Sequence, residues 1–196
     1  MILPIVAYGD PVLRKVATSI DATYPELETL ISNMKETMYN ASGVGLAAPQ
    51  IGKAIRLFLI DASPFADDED LSEKDREVLK NFNRVFINAK IIKEEGEEWA
   101  FNEGCLSIPD VREDVTRHEK ITIEYQDEGF QTHTEILDGL AARVFQHEYD
   151  HIEGILFTDK LSSLKKRILK KKLENISKGK IRADYRMRFP NLKKGK

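Results

Sequence analysis

The sequence contains a single cysteine, Cys105, among 196 residues. One cysteine excludes an internal disulfide and fits a reducing compartment. The chain also lacks any apolar run approaching the roughly 18 residues of a membrane-spanning helix, and no Gly-, Ser- or Pro-rich linker divides it. Its N-terminal stretch MILPIVAYGDPVLRKVA has neither the basic region nor the small-residue cleavage site of a secretory signal. We therefore expect one folded domain in the cytoplasm, with no membrane partner.

The charged residues are distributed unevenly along the chain. Residues 164–196 contain 14 Lys and Arg but only two acids, Glu174 and Asp184, whereas the preceding residues contain 16 basic and 31 acidic side chains. A basic segment gains free energy on an anionic partner because its cations displace counterions from phosphates. The same pattern is typical of a solvated surface helix, so both interpretations stay open. It does not predict sequence-specific nucleic-acid binding.

Three segments have the apolar spacing of amphipathic helices. The first lies within residues 24–43, and Gly43 lies just past its end; its apolar positions are Leu27, Leu30, Ile31, Met34 and Met38. Asp138 is positioned to cap the second helix, and Gly154 to end it. The third is the lysine-rich segment 159–180. Its predicted apolar side consists of Leu161, Leu164, Ile168, Leu169, Leu173 and Ile176.

Runs rich in β-branched and aromatic residues predict strands at 54–60, 84–92, 97–109, 120–126 and 130–137, the last two forming a hairpin. Between the first two lies the acidic segment 62–83, interpreted as a surface insertion. In it Ser72, with Asp75 three residues later, can cap a short helix. Strands grouped together, with helices apart from them, indicate an α+β fold with antiparallel sheet.

The segment QHEYDHIEGILF, residues 146–157, has the HExxH pattern of a metal site. Positions i and i+4 of a helix share one face, so His147 and His151 can bind one ion. Glu148 lies about 100° around the helix, which suits a general base better than a ligand. A surface helix with two solvated histidines is the alternative, and the nearby acids Asp150 and Glu153 keep it open.

A catalytic zinc-type site needs a third protein ligand and a fourth position open to water. The pattern HExxHxxGxxH is excluded because its last position here is Phe157. Glu174 follows at a distance typical of a glutamate ligand, but it lies among lysines. Cys105 is the better candidate because it follows Gly104 at a strand end, and its thiolate is a strong ligand for borderline and soft divalent ions. The predicted ligands are Cys105, His147 and His151.

Three segments in order, GVGLAAPQ (43–50), EGCLSIP (103–109) and QHEYDH (146–151), resemble peptide deformylase. The likeness covers residues 1 to about 165. It implies an α+β fold in which antiparallel sheets surround the HExxH helix, between an N-terminal helix and a C-terminal basic helix. It also implies removal of the formyl group from formyl-methionine at the N-terminus of new polypeptides, with release of formate.

The resemblance extends to individual residues. It implies Cys105, His147 and His151 as ligands, and Glu148 as the catalytic glutamate. It implies that Gln50 and the backbone N–H of Leu106 bind the formyl oxygen, which agrees with the need of amide hydrolysis for preorganised oxyanion donors. The implied substrate-binding residues are Val44, Gly45, Leu106, Arg112 and Val144, with Glu103 and Arg117 as a supporting ion pair.

The resemblance further implies Fe(II) in the cell, with zinc, nickel or cobalt able to use the same ligands. It implies N-formyl-methionyl peptides as substrates and the ribosome as a partner of the basic C-terminal helix. We divide the chain into a catalytic domain, 1–178, and a basic tail, 179–196, that has no clear family counterpart. Arg143 departs from the pattern, since it puts a cation at the expected rim of the methionine pocket.

Two other functions are compatible with the residues alone. One is an HExxH peptidase with an unusual ligand set, which would cleave unformylated peptides internally. The other is a ribosome- or RNA-binding module led by the basic C-terminal region, with a vestigial metal site. Release of formate from a small formyl peptide distinguishes both from a deformylase.

Overall fold

The computed structural model describes residues 1–191, and residues 192–196, the end of the predicted basic tail, lie outside the described residues. The α+β class is confirmed. The helices are Leu27–Asn40 (α1), Glu73–Lys80 (α2), Gly139–Ile152 (α3) and Ser163–Ser177 (α4). The strands are Ile5–Val6 (β1), Gly45–Ala47 (β2), Leu57–Asp61 (β3), Asn83–Cys105 (β4), Ile108–Gln126 (β5), Thr132–Asp138 (β6) and Met187–Arg188 (β7). Within residues 1–191, no helix combines the length and hydrophobicity needed to cross a bilayer.

Five strands form one antiparallel sheet in the order β2-β3-β4-β5-β6. The strand predicted at 84–92 and the first part of the one predicted at 97–109 are joined in the single strand β4, which ends at Cys105; the prediction ran too far, into the turn and the start of β5. The register of β4 against β5 shifts at several points. The charged residues between the two predicted strands stay paired, with Glu95 opposite Lys120. At the end of the pairing Cys105 faces Ile108, so Leu106 and Ser107 form a two-residue turn.

Helix α3 packs its apolar side against this sheet. The Phe145 ring contacts Phe58 and Phe86, with ring centroids 5.1 and 5.0 Å away. Such edge-to-face contacts add to the free energy gained from burying each ring. The helix ends as predicted at Gly154, which has a left-handed φ of 73°. A Cβ there would lie 2.8 Å from the backbone of Arg14, so this end of α3 is fixed against the N-terminal segment.

Two surface elements enter the core only in part. The apolar side of α4 is not buried along its length: Leu164 and Ile168 are 57% and 68% exposed, while Leu173 and Ile176 enter the core. The helix touches the body mainly through its C-terminal half. The acidic segment 62–83 contains the predicted helix capped by Ser72, but Leu79 and Phe82 at its end are core residues.

The described part of the tail returns to the body after α4. Strand β7 pairs in parallel with β1, Ile5 beside Met187 and Val6 beside Arg188. The backbone N–H of Ala7 donates to the Arg188 carbonyl at 2.9 Å. The division of the chain at residue 178 stays a prediction, and residues 179–191 pack on the domain that precedes them.

Candidate active site

A thiol and two imidazoles meet where β4 ends beside α3. The ligand atoms of Cys105, His147 and His151 all lie within 4.8 Å of one another, and the Cys105 Sγ is 3.3 Å from the His151 Nε2. The two rings are edge to face, with centroids 5.1 Å apart, as one helical turn requires. This confirms the predicted convergence. Glu174 lies on α4, half exposed beside Lys178, and takes no part in it.

A buried ion network holds the first histidine from behind. The His147 Nδ1 is 3.0 Å from a carboxylate oxygen of Glu103. Arg117 donates to both oxygens of Glu103 at 2.7 and 2.9 Å, and to Asp150 at 2.7 Å. Arg143 donates to Glu103 at 3.0 Å. A carboxylate behind a metal-binding histidine fixes its ring orientation and tautomer, so this network leaves the His147 Nε2 for the site.

The charges of the network determine how these groups titrate. Burial opposes ionisation of Glu103, but the hydrogen bonds from Arg117 and His147 outweigh it and hold the pKa of Glu103 well below its usual range. Burial, with repulsion from the neighbouring His147, lowers the pKa of His151 well below its usual value, which keeps this ring neutral and able to coordinate. Burial also opposes a charge on His147, yet its hydrogen bonds to Cys105 and Glu103 raise the pKa of His147.

These residues fit a divalent ion. One sulfur and two imidazole nitrogens form a donor set suited to zinc, iron, nickel or cobalt. The acids around His147 draw positive charge towards its ring, and an ion bound to Cys105 and the two histidines would satisfy them in place of a proton. The identity of the ion does not follow from the donor set.

Glu148 is buried beside the three ligands. It is 4% exposed, and among the described residues no group lies within hydrogen-bonding distance of its Oε2. Burial raises the pKa of Glu148 to about 7. A Cβ on Gly45 would lie 2.3 Å from the Glu148 Oε1, so the absence of a side chain at residue 45 gives the carboxylate its place. Gly45 was predicted to let a peptide approach closely. The structure adds a second reason for a glycine at this position, which is room for the Glu148 carboxylate.

Gln50 is fixed at one end and directed to the site at the other. Its Oε1 accepts from the backbone N–H of Ala47 at 2.8 Å. Its Nε2 donates to the Cys105 Sγ at 3.5 Å and to the Ser107 hydroxyl at 3.4 Å. The side chain is 1% exposed. The amide therefore presents its N–H donors towards the metal ligands and has one defined orientation.

One cavity of about 520 Å³ is lined by every residue predicted for catalysis and substrate binding and by two of the three predicted ligands. These are Val44, Gly45, Gln50, Cys105, Leu106, Arg112, Val144, His147 and Glu148. Arg112 is tied to Asn102, whose side-chain and backbone oxygens accept from it at 2.8 and 2.6 Å. The third ligand, His151, is buried behind the residues that line the cavity and is not one of them.

The expectation for Arg143 is corrected. Its side chain is 2% exposed and donates to Glu103 and to the carbonyls of Val115 and Trp99. Its guanidinium also lies 4.4 Å from the centroid of the Trp99 ring. Arg143 thus lines the cavity from a buried position as a structural cation paired with Glu103, and it is not a charge exposed at the rim.

Several residues of the site were missed by the sequence reasoning. Asp150 was weighed as a sign of a solvated helix, but it is buried and paired with Arg117. Residues Arg182, Ala183, Asp184 and Tyr185 of the tail line the same cavity. No local pattern marks them, because their position depends on the path of the chain after α4.

Comparisons with known proteins agree with this geometry. The family model described as polypeptide deformylase matches residues 2–167. The peptide deformylase of Christiangramia forsetii is 68% identical over 196 residues, all of both chains. That of Flavobacterium johnsoniae is 67% identical over the same full lengths. The crystal structure of peptide deformylase from Thermus thermophilus has 39% identity and a TM-score of 0.76, and the match covers 90% of this chain and 98% of that one.

Proposed function

Because this chain belongs to the polypeptide deformylase family and removes the N-formyl group from nascent peptides, we propose that Glu148 moves the proton in this hydrolysis. The observation that carries the proposal is the buried Glu148 carboxylate, unpartnered at Oε2, on the wall of the ligand-lined cavity. A carboxylate with a pKa near the working pH can both take and return a proton. No other acid on the cavity wall combines these properties with a place next to His147.

Glu148 alone can carry the proton through both steps of the hydrolysis. Water attacks the formyl carbon and gives a proton to Glu148; the C–N bond then breaks, and Glu148 returns the proton to the leaving amine. Formate and a free N-terminus are the products. A divalent ion held by Cys105, His147 and His151 would supply the Lewis acid that makes water nucleophilic at neutral pH. We propose Fe(II) as that ion in the cell, to be checked by metal analysis of protein purified without oxygen.

We assign the oxyanion to Gln50 and the backbone N–H of Leu106. The Ala47 N–H fixes the orientation of the Gln50 amide, so its Nε2 stays beside the ligands, and the N–H now directed at the Cys105 Sγ would turn to the negative charge that develops on the formyl oxygen. Leu106 directly follows the ligand Cys105 in the turn between β4 and β5. Two donors beside the metal ligands are the arrangement that a tetrahedral oxyanion requires.

The substrate is proposed to bind as a formyl-methionyl peptide along β2. This strand is an edge of the sheet, where an extended peptide can add by backbone hydrogen bonds. Val44, Leu106 and Val144 line the cavity and are proposed to enclose the methionine side chain, whose flexible thioether suits an apolar pocket. Arg112 is proposed to lie at the mouth, where it meets residues beyond the methionine.

The experiment is Glu148→Gln, with Glu153→Gln as the matched control. Both glutamates lie in the C-terminal part of α3 or just after it. Glu153, however, forms an ion pair of 2.7 Å with Arg56 and is not part of the ligand group. Formate release from formyl-Met-Ala should fall by about 10³-fold in E148Q with metal content retained, since an amide cannot carry the proton. The control should keep its activity. Turnover by E148Q close to that of the control would contradict the assignment.

We also propose that α4 binds the ribosome, which places the enzyme in the cytoplasm. Leu164 and Ile168 are exposed on a helix otherwise rich in lysine. Cations surrounding a small apolar stripe can engage an RNA-rich surface through phosphates and close contact together. The test is cosedimentation with ribosomes at increasing salt, where affinity insensitive to salt would oppose the idea.

A further inference from the structure

The tail between α4 and β7 is held at both of its ends. At one end, the Lys180 N–H donates to the Asn175 carbonyl at 2.9 Å, which ties the start of this segment to the last turn of α4. At the other, β7 pairs with β1, and the Ile5 N–H donates to the Arg186 carbonyl at 2.9 Å. Residues 182–185 lie between these anchors and line the cavity that contains Glu148. Their position at the cavity is therefore determined by the fold.

Tyr185 makes a specific contact from this segment. Its hydroxyl donates to the Leu106 carbonyl at 2.7 Å, across 79 residues of chain. Its ring is partly buried against the core cluster that also includes Leu106. A phenol with one end packed and the other hydrogen-bonded has a defined orientation, so the bond is directed rather than incidental.

The turn that receives this bond is held at three points. The Leu106 carbonyl accepts from Tyr185, and the Ser107 carbonyl accepts from the Tyr8 N–H at 2.8 Å. The Ser107 hydroxyl accepts from Gln50. A two-residue turn has few internal hydrogen bonds to fix its peptide planes, so these outside contacts set them. Of the three, only the bond from Tyr185 is made by a side chain of the tail.

We propose that Tyr185 is a positioning residue for deformylation, which fixes the Leu106 backbone so that its N–H is aimed at the formyl oxygen. The proposal rests on the proposed role of that N–H as an oxyanion donor. A misplacement of about 1 Å in such a donor is costly for catalysis. Because the donor acts on charge that develops in the transition state, its misalignment lowers kcat and leaves KM nearly unchanged.

The experiment is Tyr185→Phe, with Tyr39→Phe as the matched control. Tyr39 also donates its hydroxyl at 2.7 Å, to Asp61, but it is not part of the cavity wall. With formyl-Met-Ala as substrate, we expect kcat of Y185F to fall about 5- to 20-fold at unchanged KM, less than the roughly 10²-fold or greater loss on removing a donor outright. Y39F should keep the kcat of the parent protein, even if its melting temperature falls as far as that of Y185F.

A kcat of Y185F within twofold of the parent protein, or an equal loss in Y39F, would overturn the proposal. A second measurement is amide hydrogen exchange in residues 104–108, which should accelerate in Y185F and not in Y39F. Unchanged exchange would also overturn it. The proposed function has a separate test, E148Q, in which Tyr185 is intact. If E148Q is inactive and Y185F is fully active, the role of Tyr185 is wrong and the proposed function stands.

Discussion

Helices α3 and α4 are nearly equal in length, 14 and 15 residues, but they differ in what surrounds their charges. Ten residues of α3 are buried, including Arg143, Glu148, Asp150 and His151. In α4 three residues are buried, and none of them is charged. Arg143 and Asp150 of α3 contact named partners at hydrogen-bonding distance, and Glu148 is buried with its Oε2 unpartnered among the described residues, whereas most cations of α4 are exposed to water.

The difference predicts where single substitutions matter. A buried charge that loses its partner retains the full cost of desolvation, whereas an exposed charge exchanges its partner for water. We therefore expect changes around α3 to affect catalysis, metal binding and stability strongly. A single change on α4 should have a weak effect on binding, and several changes together should add up, as expected of a binding surface.

The largest effect should follow from placing one methyl group against α3. In Gly45→Ala the new Cβ would lie 2.3 Å from the Glu148 Oε1, so the carboxylate must move. We expect a loss of about 10³-fold in kcat/KM, the contribution of a well-placed general base. Metal content should be nearly unchanged, because Gly45 is paired with Ile60 of β3 and is not one of the three ligands. Steady-state kinetics and metal analysis test this.

The control is Gly129→Ala, in the turn between β5 and β6. There the added Cβ meets only the Asp127 side chain, at 3.3 Å, so the small adjustment should leave kinetics unaltered. Parent-like activity in G45A would show that the Glu148 side chain accommodates the methyl group without functional cost.

The next effect concerns the network behind His147. Glu103→Gln leaves Arg117 and Arg143 without the anion they share. Breaking a buried ion pair typically costs about 3–5 kcal/mol of stability, and loss of a carboxylate behind a metal-binding histidine lowers metal affinity about 10- to 100-fold. Denaturant unfolding and competition with a chelator measure the two quantities.

A matched ion pair on the surface sharpens this comparison. Glu135 binds Arg84 at 2.7 Å with both side chains partly exposed, so Glu135→Gln should cost less than about 1 kcal/mol. Equal losses of stability in E103Q and E135Q would mean that the buried ion network behind His147 stabilises the fold no more than an exposed ion pair does.

The pH dependence of turnover tests the burial of Glu148 itself. Burial raises the pKa of Glu148 to about 7, and a base acts only when it is unprotonated. The rate should therefore rise with pH up to the pKa, about tenfold per pH unit on the acid side. A bound divalent ion stabilises the carboxylate and moves this limb to lower pH. In a profile of kcat/KM, an acid limb centred above about pH 7.5 would contradict this assignment.

The ligand set could be predicted because it depends on short-range geometry. His147 and His151 are one turn apart in any α-helix, and Cys105 stands at a strand end next to a turn. The same reasoning gave Ser72 as a helix cap and Gly154 as a helix end, both confirmed. The histidine pair and these two helix signals needed only residues a few positions apart, whereas Cys105, which meets His151 across 46 residues, was chosen for its thiolate chemistry and its place at a strand end.

The supporting contacts could not be predicted in this way. Arg117 meets Asp150 across 33 residues, and Tyr185 meets Leu106 across 79. Such pairs depend on how β4, β5, α3 and the tail are packed, and their residue types alone are typical of an exposed surface. The exposure of Leu164 and Ile168 on α4 could not be predicted for a related reason. An amphipathic spacing indicates an apolar side but not whether the body covers it.

The smallest effect should come from α4, and there it should appear only as a change in salt dependence. Lys170 and Lys171 are exposed, so replacing both with serine should change stability by less than about 0.5 kcal/mol. If α4 contacts ribosomal RNA, each lost phosphate contact should lower the slope of log affinity against log salt by about one and the affinity itself a few-fold. Lys74 and Lys80 on α2 are equally exposed and provide the double control. Equal slopes for both double variants would mean that the basic charge of α4 is a solvated surface and that the ribosome, if bound, is bound elsewhere.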